Sequence, residues 1–327
     1  MTEQQPTPPR RRRRSLLFHV ALLAFVLFLA AVGLATLGRS THVGELASNF
    51  RFNLGYVGGG LALTFLCFRS RWLGFAALGL AVWLMAPEGA LVFKQSLPSF
   101  PQEVEVSVLV ANVLWHNSAD RVESWLQNRG EDILLIQELS PKVSRDPKDY
   151  GYPHGAIWPP WDRWRASTWG LAIWSRFPIA ETGSKPLTRG AFPALEAVLA
   201  VEGAELHLVN VHMPQALVAS LSVRTKAWDA LATGVDWRPH SFLAGDLNAA
   251  TTSPFLEEFL ETVSLRDSRE GVGRQASWPS YGWAIPFRIA IDHALIGSGL
   301  RVKERGLVKI PGSDHLAVRY VLAVRKP

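Results

Sequence analysis

Leu243-Ala244-Gly245-Asp246-Leu247-Asn248 reads as a strand that ends in chemistry. The apolar run from Phe242 to Ala244 stops at a glycine, followed by a carboxylate and, two positions on, an amide. A strand holds its backbone still, so polar groups at its tip are presented in fixed positions. An acid there can orient or deprotonate a water, and an amide beside it can hold an anionic oxygen. Gly-Asp-x-Asn alone serves equally well as a strand running into a turn. Its weight comes from four further acid- or His-bearing strand ends in the same half of the chain.

From Glu103 onward the texture is that of strands. Val104, Val106, Val108 and Val110 alternate with partly polar neighbours at the two-residue period of a pleated strand. Short β-rich runs recur at 133–136, 171–174, 196–201, 206–211, 241–244, 289–296 and 316–324. Helical spacing appears between some of them, with Val122, Trp125 and Leu126 on one face of 119–129 and Leu221, Trp228 and Leu231 on one face of 220–231. Ser253-Pro254 is a helix entry for 253–262. Many strands with fewer helices point to packed sheets covered by helices.

The strand ends carry the candidates. Asn112 follows the apolar run 108–111, and by itself reads as a turn amide. Glu138 closes Ile133-Leu134-Leu135-Ile136-Gln137, where an unpaired carboxylate is costly. A hard cation would relieve it. Mg²⁺ takes one or two carboxylates with waters and phosphate oxygens, whereas Zn²⁺ would want several His or Cys together. His212 follows Leu208-Val209-Asn210-Val211. Asp292 lies among apolar neighbours in Arg288-Ile289-Ala290-Ile291-Asp292-His293 and requires a positive or hydrogen-donating partner. Gly312-Ser313-Asp314-His315 offers one, and an Asp holding a His fixes its tautomer and raises its basicity.

The order Asn112, Glu138, Gly170…Ser175-Arg176-Phe177-Pro178, His212, Gly245-Asp246-Leu247-Asn248, Arg288…Asp292, Ser313-Asp314-His315 resembles the endonuclease/exonuclease/phosphatase (DNase I-like) superfamily over residues 104–324. That group includes DNase I-type nucleases, apurinic endonucleases, neutral sphingomyelinases and inositol polyphosphate phosphatases. The resemblance implies an α/β four-layer sandwich of two mixed β-sheets flanked by helices, and Mg²⁺-dependent cleavage of a phosphate ester, with Mn²⁺ as a substitute ion. It further implies that Glu138 binds the metal, with Asn112 beside it and Asp314 assisting. Asp246 would activate the attacking water. Asn248, Asn112 and Ser175 would meet the substrate phosphate. Asp292 would orient His315, and His212 would be a general acid, although Val-His-Met-Pro departs here from the commoner Thr-His-Leu. His293 stands where tyrosine is often found and is given a structural role.

The N-terminal third differs. Residues 1–100 carry 10 Lys/Arg against 3 Asp/Glu, while residues 101–327 carry 24 against 25, so the basic character is local. A near-neutral C-terminal region argues against non-specific duplex binding through many phosphate contacts. The single cysteine, Cys67, excludes an intrachain disulfide. Residues 1–14 read as a disordered basic N-terminus ending in five arginines. Apolar stretches at 15–37, 52–68 and 72–93, the last broken by Pro87-Glu88-Gly89, give a transmembrane region of about three helices over 15–94, then a linker at 95–102 and a catalytic domain at 103–327. A cleaved signal peptide or a twin-arginine export signal ranks lower, because further apolar segments follow the first. Arginines at 10–14, 69 and 71 on the cytoplasmic side place a multi-pass chain in the inner membrane with its catalytic domain outside the cytoplasm.

The expected activity is therefore that of a membrane-anchored phosphate ester hydrolase. Its substrate would be a nucleic acid, a phospholipid head group or a soluble ester, its other partner is the lipid bilayer, and no protein partner is inferable. The alternative is a catalytically silent receptor or scaffold that keeps the fold. Four tryptophans within 157–169, together with Arg163 and Arg165, suit a stacking loop, a membrane-interface rim or plain packing over a sheet edge, and Trp278 and Trp283 are candidates for the same mouth.

Overall fold

The computed structural model describes residues 10–95, 97–160, 170–188 and 191–327 of the chain. It divides into two compact units, Met1–Pro87 and Glu88–Pro327.

In the first unit, helix α1 spans Arg10–Leu37, α2 His42–Ser48, α3 Arg51–Cys67 and α4 Arg71–Ala90, the last ending just beyond the unit's boundary. Residues 10–14, expected in the disordered leader, instead open α1, because arginine is a good helix former and runs without a breaker into the apolar stretch. Residues 1–9 lie outside the described residues. Helix α2 was not expected. Gly38 takes a positive φ of 49°, which breaks the chain after α1, and the Thr41 hydroxyl caps the new helix by accepting from Gly44 N at 2.9 Å. Pro87 lies inside α4 and does not end it.

Most buried contacts of this unit are apolar, as in the edge-to-face pair Phe25–Phe65 at 5.5 Å and the enclosed Phe28 and Leu84, while Glu45, Ser48 and Asn49 of α2 and its end are buried and polar. Its outward side chains are apolar too, among them Leu23 and Leu27 of α1 and Phe75 and Val82 of α4. Helices that are hydrophobic all round are not those of a water-facing bundle. Among the described residues, Leu16–Ser40 and Arg71–Phe93, 25 and 23 residues long, are long and apolar enough to cross a membrane. Helix α3, at 17 residues, is shorter.

In the second unit the chain runs β1 (Glu103–Asn112), α5 (Ala119–Gln127), β2 (Ile133–Leu139), β3 (His154–Trp158), β4 (Gly170–Ser175), β5 (Ile179–Thr188), β6 (Ala191–Val201), β7 (Ala204–His212), α6 (Leu221–Gly234), β8 (Ser241–Asp246), α7 (Pro254–Thr262), β9 (Arg266–Asp267), β10 (Asp292–Ile296), β11 (Leu300–Lys309) and β12 (Leu316–Arg325). These strands form two six-stranded mixed sheets, ordered β11-β12-β1-β2-β4-β3 and β5-β6-β7-β8-β10-β9. Inward side chains of both sheets meet in one core, where Phe242 of β8 packs edge-on against Tyr320 of β12 at 5.5 Å. Val122, Trp125 and Leu126 of α5 cover the outer face of the first sheet. Trp228 of α6 with Phe255 and Phe259 of α7 covers that of the second. The result is the expected four-layer sandwich.

Strands β5 and β11 had no sequence signal. Both lie at sheet edges, and β5 is exposed along most of its length, so neither shows the alternation that a half-buried strand imposes. Register then does the work of convergence. Strands β7 and β8 run parallel with His212 opposite Asp246, and β10 runs antiparallel to β8 with Asp292 opposite the same Asp246. Three polar side chains thus stand in a row across adjacent strand ends.

Candidate active site

The row on the second sheet faces residues of the first across the seam between the sheets. Asn112 ends β1 and pairs in parallel register with Gln137, which places Glu138 one residue further along β2. Glu138 sits at φ 55°, a left-handed conformation costly for a residue with a Cβ, at a register shift between β2 and β4. The disrupted ladder leaves carbonyls to satisfy. Asn210 of β7 reaches across and donates its amide to Ile136 O at 3.0 Å and Ala172 O at 2.9 Å, while its Oδ1 accepts from Gln137 Nε2 at 2.6 Å. The strained backbone at Glu138 is thereby held by a buried amide from the opposite sheet.

Gly245 meets a different need. A Cβ there would lie 1.9 Å from Val211 O, at a φ of 144°, so only glycine lets β8 approach β7 immediately before Asp246. Asn248 also takes a positive φ, 47°, turning the chain so that its backbone N–H donates to Asp246 Oδ1 at 2.9 Å.

The carboxylates converge on one amide. Asn112 Nδ2 donates to Glu138 Oε1 at 2.9 Å and to Asp246 Oδ2 at 3.1 Å. His212 Nε2 lies 3.7 Å from Glu138 Oε1 and 3.6 Å from Asp246 Oδ2. Glu138 Oε2 accepts from Trp115 N at 3.0 Å. Burial pushes the Glu138 carboxyl up, but His212, the Trp115 N–H and the Asn112 amide outweigh it and hold its pKa below the ordinary carboxylate value. Asp246 is more deeply enclosed, and burial, reinforced by Asp292 and opposed by His315 and His212, raises its pKa to about 6.

His315 stands at the start of β12 with Nδ1 2.9 Å from Asp292 Oδ2, and its Nε2 is 3.7 Å from Asp246 Oδ2. Burial alone would lower its pKa. Asp292 and Asp246 more than reverse that and raise it to about 10, so the ring is cationic at neutral pH. The Ser277 hydroxyl donates to Asp292 Oδ2. Ser313 ties the loop down, its hydroxyl donating to Asn112 O at 2.8 Å and accepting from His315 N at 3.0 Å. His293 faces away from this chemistry, its Nε2 lying 2.8 Å from Ala249 O and 2.9 Å from Ala290 O, and burial lowers its pKa to about 4. It is a structural residue.

Six of the candidates, Asn112, Glu138, His212, Asp246, Asp292 and His315, therefore meet in one place. Asn248 adjoins them, its amide donating to Met213 O at 2.8 Å. Ser175 does not join them. Strand β4 runs antiparallel to β2 and pairs Ser175 with Ile133, so the serine lies at the opposite end of the sheet from Glu138, about 17 Å away along the strand. It is fully buried, and its hydroxyl is engaged with the backbone of Phe177. Ser175 is a turn residue and not a phosphate contact. Asp314 is beside the cluster but outside it, because its carboxylate accepts from Trp278 Nε1 at 3.0 Å. In the aromatic stretch, Trp158 packs against the inter-sheet core, and residues 161–169, including Trp161, Trp164 and Trp169, lie outside the described residues.

Trp115, Ser277, Ser313 and Asn210 were not among the candidates. Trp115 acts through a backbone N–H, which any residue but proline carries. Asn210 had a signal, an amide buried within the apolar run Leu208-Val209-Asn210-Val211. Replacing it by leucine, Asn210→Leu, strips the Ile136 and Ala172 carbonyls of their donor. The expected cost is about 3 kcal/mol, at ~1–3 kcal/mol for each buried group left unsatisfied. For a domain of this size that lowers Tm by roughly 6–12 °C. A thermal melt with Asn210→Leu within about 2 °C of the parent protein would show that the bulge at Glu138 needs no such support.

Glu138, His212 and Asp246 offer ligand atoms all within 4.8 Å of one another, and so do Asp246, Asp292 and His315. Comparison with known proteins places this arrangement. The sequence profile described as "Endonuclease/Exonuclease/phosphatase family" matches residues 109–315. No curated protein matches the chain. Among solved structures, an endonuclease/exonuclease/phosphatase from Beutenbergia cavernae DSM 12333 superimposes with a TM-score of 0.53 at 19% identity, covering 68% of this chain and 72% of that one. A family member from Bacteroides vulgatus gives 0.56 at 16% identity, covering 68% and 100%. TDP2 of D. rerio, in complex with a single strand DNA product, gives 0.55 at 18% identity, covering 67% and 98%. At these identities the structures establish the fold.

Proposed function

Since the chain belongs to the endonuclease/exonuclease/phosphatase family, we propose that it is a metal-dependent hydrolase of phosphate esters, anchored in a membrane by its N-terminal helices. The observation that carries the reading is the meeting of Glu138, Asn112 and Asp246 with the Asp292–His315 pair across the seam between the sheets. A structural ion pair has no need of three acids so close together, two of them buried.

The donor set suits a hard divalent cation, Mg²⁺ or Mn²⁺, because two carboxylates and one imidazole converge while Cys67, the only cysteine, lies in the other unit. Glu138 would hold the ion, with His212 and Asp246 within reach. When bound, such an ion neutralises charge on the phosphate and polarises its oxygens. The protein does the rest. Asp246, with its pKa near neutrality, is suited to orient the attacking water and accept its proton. Asn248 has one amide N–H on Met213 O, which leaves the second for a phosphate oxygen. His315, cationic and aimed by Asp292, stabilises charge building on the phosphate. His212 is positioned to hand a proton to the leaving oxygen.

Two apolar helices of spanning length support the anchor. With α3 as a third crossing, the positive-inside rule keeps residues 10–14, Arg69 and Arg71 in the cytoplasm and exports the second unit. The test uses the full chain in detergent with bis(p-nitrophenyl) phosphate. Turnover should vanish with EDTA and return with Mg²⁺ or Mn²⁺, and intact cells should hydrolyse a membrane-impermeant ester from outside. No turnover of any ester with either ion would make the chain a silent scaffold. Turnover confined to lysed cells would overturn the topology.

A further inference from the structure

Beyond residue 96, exposed apolar side chains are concentrated on loops that leave the catalytic cluster. Among the described residues of 97–327, six of the eight exposed large hydrophobic side chains fall in two short segments, 217–218 and 281–287. Leu217 and Val218 belong to the loop between β7 and α6. Tyr281, Trp283, Ile285 and Phe287 belong to the loop between β9 and β10. Val218 and Trp283 are 80% and 77% exposed, and the Tyr281 and Trp283 rings are parallel, 6.1 Å apart. Apolar side chains so placed serve a surface they meet.

Both loops are rooted in the catalytic cluster. The first leaves β7 at His212 and is fixed where Met213 O accepts from Asn248 and Pro214 O accepts from Arg224 Nη1. The second is bound at its base to the loop that carries His315. Ser280 N donates to Asp314 O at 2.7 Å, the Ser280 hydroxyl donates to Ser313 O at 2.8 Å, and Arg288 donates to Pro279 O and Ser280 O at 2.9 and 2.7 Å. Each loop thus has a pinned base and an apolar tip.

The charge pattern selects the occupant. Residues 213–223 and 275–287 contain no Asp, Glu, Lys, Arg or His at all. A nucleic-acid rim needs cations for the phosphate backbone, and Leu217, Val218 and Ile285 offer no ring for a base to stack on. Tryptophan, tyrosine and aliphatic side chains without charge suit the boundary between lipid head groups and acyl chains. We propose that these two loops seat on a lipid bilayer and that the ester hydrolysed is the head-group phosphate of a membrane lipid. The inference rests on the hydrolase reading above for its chemistry. Water adds its oxygen to phosphorus, the P–O bond to the lipid alcohol or head group breaks, and the leaving oxygen takes the proton. The bilayer is always within reach under that reading, because the nine residues 94–102, at most about 35 Å of chain, separate Phe93 from Glu103.

The test places the full chain in phosphatidylcholine nanodiscs doped in turn with sphingomyelin, phosphatidylglycerol and phosphatidylinositol, with bis(p-nitrophenyl) phosphate and a single-stranded oligonucleotide as soluble substrates. The doubles Trp283→Ser/Phe287→Ser and Leu217→Ser/Val218→Ser should leave turnover of the soluble diester within about twofold and lower lipid turnover by about tenfold or more. Equal losses on both substrates, loss on the oligonucleotide alone, or no lipid hydrolysed by a chain active on the soluble diester would overturn the proposal. A second readout needs no activity. With Cys67→Ser and Ile285→Cys, an environment-sensitive dye on the new thiol should shift to the blue in nanodiscs. An unshifted dye, or a shift that persists without lipid and grows with protein concentration, as for a contact between copies, sinks the docking. Absent turnover of every substrate with a shifted dye would sink only the hydrolase reading.

Discussion

Glu138→Gln should abolish most turnover of a phosphodiester at a small cost to the fold. The substitution keeps the length and planarity of the side chain and removes one charge. If Glu138 is the principal holder of the cation, the loss includes several kcal/mol of charge stabilisation at the phosphate. About 4 kcal/mol corresponds to roughly 10³-fold in rate. The stability change is smaller and has the same sign. The two Glu138 oxygens accept from Asn112 Nδ2 and from Trp115 N, and an amide keeps one acceptor, so one donor and the attraction to His212 are lost, at about 1–2 kcal/mol. Steady-state kinetics and a thermal melt, both at fixed metal concentration, decide the matter. A melt lowered by more than about 10 °C would make Glu138 a structural acid. A loss that excess Mn²⁺ partly recovers would tie the residue to the ion.

Asp292→Asn should cost about 10²–10⁴ in kcat, the range for removing a charge that aims and stabilises a catalytic imidazole. Asp292 is a positioning residue, acting through His315 Nδ1 at 2.9 Å. Its distinguishing readout is the pH profile. In the parent protein the pKa of His315 is raised to about 10, so the ring stays protonated through neutrality and a rate that needs the cation falls only at alkaline pH. After burial, which opposes the charge, Asp292 is the largest influence on that ring and the main reason it is raised. Replacing it with a neutral amide lets the pKa fall, and the alkaline limb of kcat moves toward lower pH. A limb that stays put would separate Asp292 from the titration of His315. Ser277→Ala, which removes one donor to Asp292 and leaves its charge, should not move the limb to lower pH.

The sequence was most informative where burial and chemistry conflict. Glu138, Asp246 and Asp292 each stand at or beside an apolar strand, and an acid in such a place demands a reason. Residues of that kind were identified, and the chain brings them together. Strand direction left no comparable trace. Ser175 and Glu138 both close apolar runs, but β4 is antiparallel to β2, so the two ends face opposite ways. The edge strands β5 and β11 were silent because an exposed edge imposes no alternation of side chains. The Trp115 N–H on Glu138 was silent because main-chain donors carry no residue identity.

The candidate cluster belongs to neither sheet alone. Asn112, Glu138 and His315 come from one layer, and His212, Asp246 and Asp292 from the other, with Gln137 and Asn210 pinning the two directly beneath. Two half-sites joined by a few hydrogen bonds over a packed core behave like the jaws of a vice, whose gap is set by the filling behind them. Phe242 and Tyr320 are part of that filling, so trimming either would detune the chemistry at a distance, well before the chain lost its shape.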